Sequence, residues 1–235
     1  MGKPFLINYE LAFIPNFFEP NGSGKTFTDN SNFSTAMNHK FSFDYQVGRA
    51  SLIGAGIGYS RTGFNFTGME IQMPGTGELD LIPSKRFNRL NVISFDLRYT
   101  TFFSNIAPVG SFLTVKGGVN RISFADENAL VSLVNDVDYT QEVGTNQLYL
   151  GVQLGKQRVI LDRFLLKYGV EFHITGYYGY MISDYFDTDY GTDWFNTPAV
   201  PNEAEFIEDV QTQIKRRVGK QTAIMFTLSL GVLAP

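Results

Sequence analysis

Apolar and polar side chains alternate along eight separate stretches of this chain. In FSFDYQVGRASLIGAGIGYS, residues 41–60, two alternating runs are separated only by Gly48, Arg49 and Ala50. Strict alternation predicts β-strands with one apolar and one polar face, because successive side chains of a strand point to opposite sides. The predicted strands cover residues 5–14, 37–47, 52–64, 90–103, 111–124, 148–154, 166–175 and 224–232.

The connections between these strands alternate between short and long. Short connections follow the second, fourth and sixth strands, at residues 48–51, 104–110 and 155–162. Long connections follow the first, third, fifth and seventh strands, at residues 15–36, 65–89, 125–147 and 177–220. A meander with its short turns at one end and its long loops at the other is typical of outer-membrane barrels. Both termini would then lie at the short-turn end.

Two of the long connections change to the spacing of a helix. In DENALVSLVNDV, Asp126 is a candidate N-cap, and the predicted apolar stripe consists of Leu130, Leu133, Val134 and Val137. In EAEFIEDVQTQIKRRV, acidic residues crowd the start and basic residues the end, as a helix dipole prefers. The stripe of this second segment consists of Phe206, Ile207, Val210 and Ile214. We expect short helices that cap the long-loop end.

Side-chain volume decides which face of the strands points inward. Eight strands close into a cylinder whose interior is just filled by side chains. The apolar face is bulky, whereas the polar face includes the small residues Gly54, Gly56, Gly58, Gly151 and Gly169. Composition agrees, with 22 Phe, 12 Tyr and 23 Gly among 235 residues. The apolar face is therefore expected to point outward, toward lipid.

The polar faces carry four acidic and four basic side chains, which can neutralise one another. An unpaired ion in a closed interior costs several kcal/mol, which is comparable with the whole net stability of a protein. We therefore predict an interior charge network that plugs the barrel and leaves no open pore. Its predicted members are Glu10, Lys40, Asp44, Asp96, Arg98, Lys116, Lys167, Glu171 and His173.

The alternating strands and the loop asymmetry resemble the small outer-membrane β-barrels of Gram-negative bacteria, the OmpA and OmpX transmembrane type. The resemblance is architectural and covers nearly the whole chain. It implies an all-β fold, an eight-stranded antiparallel up-and-down transmembrane β-barrel, with residues 1–235 in a single domain. It also implies an outer-membrane location, with outer-membrane lipid and other outer-membrane proteins as partners. Because MGKPFLINYE contains no apolar signal region, we expect the export signal to have been removed.

A catalytic histidine has to be considered, because small barrels that resemble lipid A deacylases and palmitoyltransferases are enzymes. His173 faces inward beside Glu171 and Thr175, and a carboxylate can orient a histidine as a general base. His39 falls on the outward face, and no strand offers a clear serine nucleophile beside His173. We therefore interpret His173 as a member of the interior network, and we predict no catalytic residue and no cofactor.

The last long loop contains SDYFDTDYGTDWF, in which acidic and aromatic residues are interleaved. Carboxylates at alternate positions can converge on Ca²⁺, but Gly191 comes one position too early for an EF-hand and no Glu closes the loop. We assign no metal site, keep calcium binding by this loop open as an alternative, and expect a solvated loop whose aromatic residues can contact a protein partner. The residues concerned are Asp184, Asp187, Asp189, Asp193, Tyr185, Tyr190 and Trp194.

Cysteine content and charge exclude further classes of protein. The absence of cysteine excludes thiolate metal sites and disulfide-stapled modules. A net charge of −4, without any basic run, argues against nucleic-acid binding. We expect a non-enzymatic, plugged outer-membrane barrel that acts structurally, binds partners through its long loops, or forms a subunit of a larger outer-membrane assembly. Two alternatives stay open: a membrane-embedded lipid-modifying hydrolase or acyltransferase, and a soluble lipocalin-like ligand-binding barrel.

Overall fold

The computed structural model describes residues 5–14, 36–66, 69–72, 79–83, 85–104, 106–133, 135–175 and 202–234. Two short strands, β4 (Met69–Gln72) and β5 (Leu79–Ile82), form a separate hairpin. In the described part of the chain there is one helix, α1 (Glu203–Thr222). The eight wall strands are β1 (Phe5–Ile14), β2 (Ala36–Gln46), β3 (Ser51–Phe66), β6 (Lys85–Phe102), β7 (Gly110–Phe124), β8 (Thr145–Ile160), β9 (Phe164–Thr175) and β10 (Ile224–Ala234).

The wall strands close into a barrel in the order β1-β10-β9-β8-β7-β6-β3-β2, and every neighbouring pair is antiparallel. Closure occurs at β1, where Phe5 lies opposite Tyr45 of β2 on one side and Ala234 of β10 on the other. The predicted eight-stranded antiparallel up-and-down barrel is therefore confirmed. Closure also leaves the wall without a free sheet edge.

Inward and outward side chains alternate along the wall strands, as the sequence pattern predicts. Phe43, Leu97 and Leu148 point outward and are 60%, 70% and 75% exposed. Lys40 and Lys116, in contrast, point into the lumen and are buried. The predicted orientation of the two faces is confirmed. Its physical reason is that the narrow lumen accepts polar and small residues, whereas the outside has no limit on side-chain volume.

The β8–β9 hairpin is longer than the sequence predicts. β8 continues to residue 160, and the chain turns at residues 161–163 instead of leaving the sheet at residue 155. Leu161 and Asp162 adopt positive φ angles of 52° and 57°, which suit a tight turn between twisted strands. Apolar alternation cannot reveal this extension, because the KQR stretch places polar side chains on both faces of the strand.

The helix α1 covers the long-loop end of the barrel. It begins with a capping box: Asn202 Oδ1 accepts from the Glu205 backbone N–H, and the Glu205 carboxylate accepts from the Asn202 backbone N–H. The helix predicted here is confirmed, and it runs to Thr222, immediately before β10. In the described ranges no helix is both long and apolar enough to span a membrane.

The apolar stripe of α1 packs on apolar side chains at the long-loop end of the lumen, on the β4–β5 hairpin and on the loop between β7 and β8. These elements share one buried cluster, so the helix is attached to the barrel by apolar contacts with several elements. The cluster consists of Ile71, Ile82, Leu90, Val92, Ile122, Ala129, Leu130, Tyr139, Val143, Phe206, Val210, Ile214 and Val218.

The helix predicted for DENALVSLVNDV is wrong. The described residues of this segment form turns, with Asn128 and Asp136 in left-handed conformations at φ angles of 57° and 54°. The predicted stripe is not one face, because Leu130 is buried while Leu133 is 61% exposed. Val134 lies outside the described residues.

Tertiary contacts explain why this segment is not helical. It folds back on itself, so that the backbone N–H of Tyr139 donates to the Leu130 carbonyl. Asp126, the candidate N-cap, instead accepts from the backbone N–H of Arg89 on the neighbouring strand. Burial of Leu130 and Tyr139 in the cluster with α1 outweighs a helix propensity that is worth only a few tenths of a kcal/mol per residue.

Replacement of Phe206 with alanine should loosen α1 without opening the wall. Phe206 is fully buried and packs edge-on against Tyr139, with ring centroids 5.4 Å apart. Truncation of a buried phenylalanine costs about 3–5 kcal/mol. Limited proteolysis should therefore cut Phe206→Ala within α1 faster than the wild type, while the wall strands stay protected. Glu208→Ala, at an exposed position of the same helix, is the matched control. Equal cleavage of both variants would contradict the packing described here.

Candidate functional site

The lumen contains a layer of charged side chains held by the inward positions of the wall strands. All nine residues of the predicted charge network lie there, and each is at most 6% exposed. They come from five strands, because each strand contributes only its inward-facing positions. The residues are Glu10 of β1, Lys40 and Asp44 of β2, Asp96 and Arg98 of β6, Lys116 of β7, and Lys167, Glu171 and His173 of β9.

Asp96 is the centre of the first half of the network. Its Oδ1 accepts from Arg98 Nη2 at 2.6 Å and from Arg98 Nε at 2.9 Å, and its Oδ2 lies 3.1 Å from Lys40 Nζ. Tyr149 Oη donates to the same Oδ2 at 3.4 Å. Both carboxylate oxygens therefore have charged donors, which is the condition for burying an aspartate at low cost.

Glu171 is the centre of the second half. Its Oε2 lies 2.6 Å from Lys116 Nζ, and its Oε1 lies 2.6 Å from His173 Nε2. Lys116 also lies 3.6 Å from Glu10 Oε1. Lys40 Nζ is 3.7 Å from Glu171 Oε1, so this one ammonium group joins the Glu171 half to the Asp96 half.

Asp44 and Lys167 stand apart from this connected network. Asp44 Oδ2 accepts from Asn8 Nδ2 at 2.8 Å, and Lys167 Nζ lies 4.5 Å above the ring of Phe112. Neither forms an ion pair with another described residue. The structure therefore joins six of the nine predicted residues by ion pairs, adds His173 through its hydrogen bond to Glu171, and leaves two beside them.

Two inward glycines make room for the network. A Cβ atom on Gly56 would lie 2.0 Å from Arg98 Nη2, and a Cβ atom on Gly54 would lie 2.0 Å from Asp44 Oδ1. Any larger residue at position 56 would displace the guanidinium group from Asp96. Glycine is needed at these two positions because side chains of the neighbouring strands cross over them.

Apolar side chains seal the charged layer at the short-turn end. They form a second buried cluster, which consists of Leu6, Leu52, Phe102, Ala107, Phe112 and Leu165. The cluster with α1 covers the other end, so the network lies between two apolar layers. Sequence reasoning did not identify these seals. The available signal was adjacent apolar residues at strand ends, such as Phe102-Phe103 and Leu52-Ile53, which break the alternation.

The remaining predicted site residues do not join the network. His39 lies on the outer wall, where its Nδ1 is 2.7 Å from Tyr9 Oη, so it cannot meet His173. The acidic and aromatic residues between Asp184 and Trp194 lie outside the described residues. Within the described ranges, no three His, Cys, Asp or Glu residues are placed to hold a metal ion.

An open cleft of about 830 Å³ lies at the tips of β7 and β8. It is lined by polar residues that include Arg121, Glu127, Asp138 and Gln141, and it includes no residue of the charge network. The cleft is therefore separate from Glu171 and His173. With both ends sealed and its carboxylates neutralised, the network itself is suited to stabilising the lumen.

Glu171→Gln should destabilise the barrel by about 3–5 kcal/mol, because Lys116 and Lys40 lose a buried counter-charge. Equilibrium unfolding by guanidinium chloride in detergent micelles measures this loss. In the double variant Glu171→Gln/Lys116→Met the uncompensated ammonium group is gone, so the loss should be smaller than the sum of the single losses. Asp162→Asn, at an exposed turn position that accepts a left-handed conformation, should leave stability unchanged. Strictly additive losses would show that the two residues are not coupled.

No protein-family model matches this chain, and no curated protein matches it either. What the chain does is therefore inferred from its own geometry. Two features carry that inference, namely the sealed charge network and the apolar outer wall.

Proposed function

We propose that this protein is a non-enzymatic, integral outer-membrane β-barrel with a plugged lumen. The wall anchors the molecule in the bilayer, and the long loops are available for contacts with other outer-membrane proteins. The observation that carries the proposal is the combination of an apolar outside with an ion-paired, sealed inside. An apolar belt around the outside of a barrel suits a protein surrounded by lipid better than a protein surrounded by water.

The outer wall supports the membrane part of the proposal. Large apolar side chains are exposed on all eight wall strands, including Phe43, Leu97, Leu148, Phe172 and Leu230. Soluble monomers rarely expose contiguous apolar patches larger than a few hundred Å². A belt that surrounds the whole barrel is much larger than such a patch, so it favours contact with hydrocarbon over contact with water.

The interior supports the plugged state. Ion pairs connect Lys40, Asp96, Lys116 and Glu171 across the lumen, and apolar clusters cover this layer on both sides. An ion that entered would have to break buried pairs and pass through an apolar seal. Both steps are costly, so the barrel is suited to anchoring and poorly suited to conduction.

The surroundings of His173 support a non-enzymatic role. The ring stacks on Tyr149 with centroids 4.4 Å apart, and Nε2 is held by Glu171. A lipid-modifying hydrolase or acyltransferase would need this histidine at the surface that lipid reaches. His173 is only 4% exposed and lies on the lumen side of the wall.

Strand number and topology also suit a soluble lipocalin-like barrel. What distinguishes the two proposals is which face of the wall strands is apolar. A barrel that stores an apolar ligand presents apolar side chains to its lumen, and the central layer of this lumen is charged. The distribution of apolar residues therefore favours the membrane proposal over this alternative.

The long-loop end supports a role in partner binding. The helix α1 covers this end and presents exposed residues such as Glu205 and Glu208 on its outer side. The cleft at the tips of β7 and β8 opens at the same end. A neighbouring outer-membrane protein could dock here without disturbing the wall, so we propose this end as the surface that a larger assembly would use.

Leu97→Arg separates a membrane barrel from a soluble one. Leu97 is 70% exposed on β6, between the outward residues Phe95 and Tyr99 of the apolar belt, so in water an arginine there costs little. At the midplane of a bilayer it costs about 2–4 kcal/mol. Folding into phosphatidylcholine vesicles, followed by protease protection, should show a reduced folded fraction for Leu97→Arg. Leu161→Arg, in the short turn and 81% exposed, should fold like the wild type. Equal folding of both variants would contradict a lipid-facing wall.

Planar-bilayer recording tests the plugged lumen. Purified protein inserted at single-molecule density should give no steady ionic current, because the charged layer is sealed on both sides. A stable open conductance from the wild-type monomer would refute the plug. Insertion should be checked separately, by protease protection of the protein in vesicles of the same lipid. A bilayer without current is then not mistaken for a bilayer without protein.

A further inference from the structure

Charged residues on the outer wall are all basic. At the outward positions of the eight wall strands whose side chains are described, there is no Asp and no Glu. The acidic side chains of these strands all point into the lumen. The outward basic residues are Arg61, Arg89, Arg121, Lys156 and Arg158. The outside of the barrel is therefore complementary to negative charge, although the whole chain has a net charge of −4.

Arg61 is held in a fixed position on this wall. Its Nε donates to Tyr59 Oη at 2.6 Å and to Asn91 Oδ1 at 3.2 Å, and Tyr59 Oη donates to Asn91 Oδ1 at 2.9 Å. The guanidinium carbon lies 5.8 Å from the centroid of the Tyr59 ring. The terminal amino groups of Arg61 donate to no described residue, so they form a preorganised fork that faces outward.

Two further arginines lie beside Arg61. Asn91 is directly opposite Arg61, Arg89 is two residues from Asn91 on β6, and Arg121 is opposite Ile93 on β7. Arg89 is diagonal to Arg61 in the sheet, at about 7–8 Å, a separation that long side chains can bridge, whereas Arg121 lies one strand further along the wall and is diagonal to Asn91. Asp126 accepts from the backbone N–H of Arg89, and Arg121 shares the lining of the polar cleft with Asp126, Glu127 and Asp138. Arg61 is not part of that lining, and it is the arginine of this patch that hydrogen bonds to side chains hold in place.

The patch lies at the edge of the apolar belt. Below Tyr59 on β3 the outward residues are Ile57, Ala55 and Ile53, and beyond Arg61 the strand continues toward the long loops. If the barrel spans a membrane as proposed above, this edge lies at the level of the lipid headgroups. Tyrosine at this level is typical of the interface, because its ring is apolar and its hydroxyl is polar.

We propose that Arg61, positioned by Tyr59 and Asn91, binds the phosphate group of an anionic lipid at the long-loop face of the membrane. This inference rests on the proposed membrane location. The planar guanidinium fork matches two phosphate oxygens, and a charge-assisted pair of this kind is stronger than a neutral hydrogen bond. The apolar wall directly below accepts the acyl chains of the same molecule, which a free anion or an acidic peptide does not have.

Native mass spectrometry of the full chain tests this site. The protein is folded into vesicles of phosphatidylcholine and phosphatidylglycerol, extracted in neutral detergent, and the lipids that stay bound are counted. The wild type should retain phosphatidylglycerol in preference to phosphatidylcholine. Arg61→Gln should lower that preference about 10-fold, which is the effect of losing one charge-assisted contact. Tyr59→Phe should give a smaller loss, because it frees the guanidinium group without removing it.

Arg158→Gln is the matched control. Arg158 also points outward, near the short-turn end, but it makes no hydrogen bond to another described residue. It should keep the wild-type preference within about twofold, which is below the effect of one charge-assisted contact. An equal loss in Arg158→Gln and Arg61→Gln would overturn the assignment, since any exposed arginine would then suffice. Displacement of the bound lipid by inorganic phosphate would also overturn it, because the site would then accept free anions.

Failure of this inference is distinguishable from failure of the proposed function. A chain that folds into pure phosphatidylcholine vesicles but shows no preference for phosphatidylglycerol contradicts the lipid site alone. A chain that stays in solution without detergent and does not enter vesicles contradicts the membrane location, and the lipid site with it.

Discussion

A closed eight-stranded barrel leaves little room in its lumen for anything but side chains, so a buried charge is costly unless a neighbouring side chain pairs with it. Lys40 is the clearest case, because its ammonium group lies between Asp96 and Glu171 and thereby connects both halves of the network. The small residues opposite long side chains follow from the same constraint. Gly56 has no Cβ because Arg98 has to reach Asp96 through that space. The charge network therefore explains both the paired ions and the glycines beside them.

The apolar clusters above and below the network give the ion pairs their strength. Water that reached Asp96 or Glu171 would weaken each pair by raising the local dielectric constant. Phe102 and Phe112 close one side, while Ile122 and the stripe of α1 close the other. A lumen built in this way is a rigid support for the wall. The charge network also explains His173, which resembles a catalytic histidine in the sequence but is held by Glu171 and Tyr149 in the structure.

The outer wall is under a different constraint. The size of its side chains is not restricted, and the surroundings of the barrel decide whether these side chains are polar or apolar. Bulky apolar residues cover the middle, and basic residues such as Arg61 and Lys156 lie toward the two ends. In the part of the chain that the structure describes, the acidic residues lie in the lumen, in the β4–β5 hairpin, in turns and in α1, and none lies on the outer wall. This separation gives the molecule an overall acidic charge but a basic outer wall. In the membrane location proposed above, anionic lipid headgroups would be attracted to that wall and acyl chains would be accepted by its middle.

The alternation of apolar and polar residues along the chain was sufficient to predict much of this structure. Strict alternation determined eight strands, and the balance of inward charges identified residues such as Lys40, Asp96 and Glu171, because a strand face is fixed by its period of two. It could not show which of these charges pair, since pairing depends on strand order and register; Asp44 and Lys167 are left out of the ion pairs for that reason. The segment around Leu130 has the spacing of a helix, yet burial beneath α1 makes it a set of turns. The sequence alone therefore determined the strands and their two faces, because these depend on neighbouring residues. Only the tertiary structure decided how the charge network is connected across strands, which residues form the seals, and how Arg61 is held, because these depend on contacts between strands, such as Lys40 with Asp96 and Arg61 with Asn91.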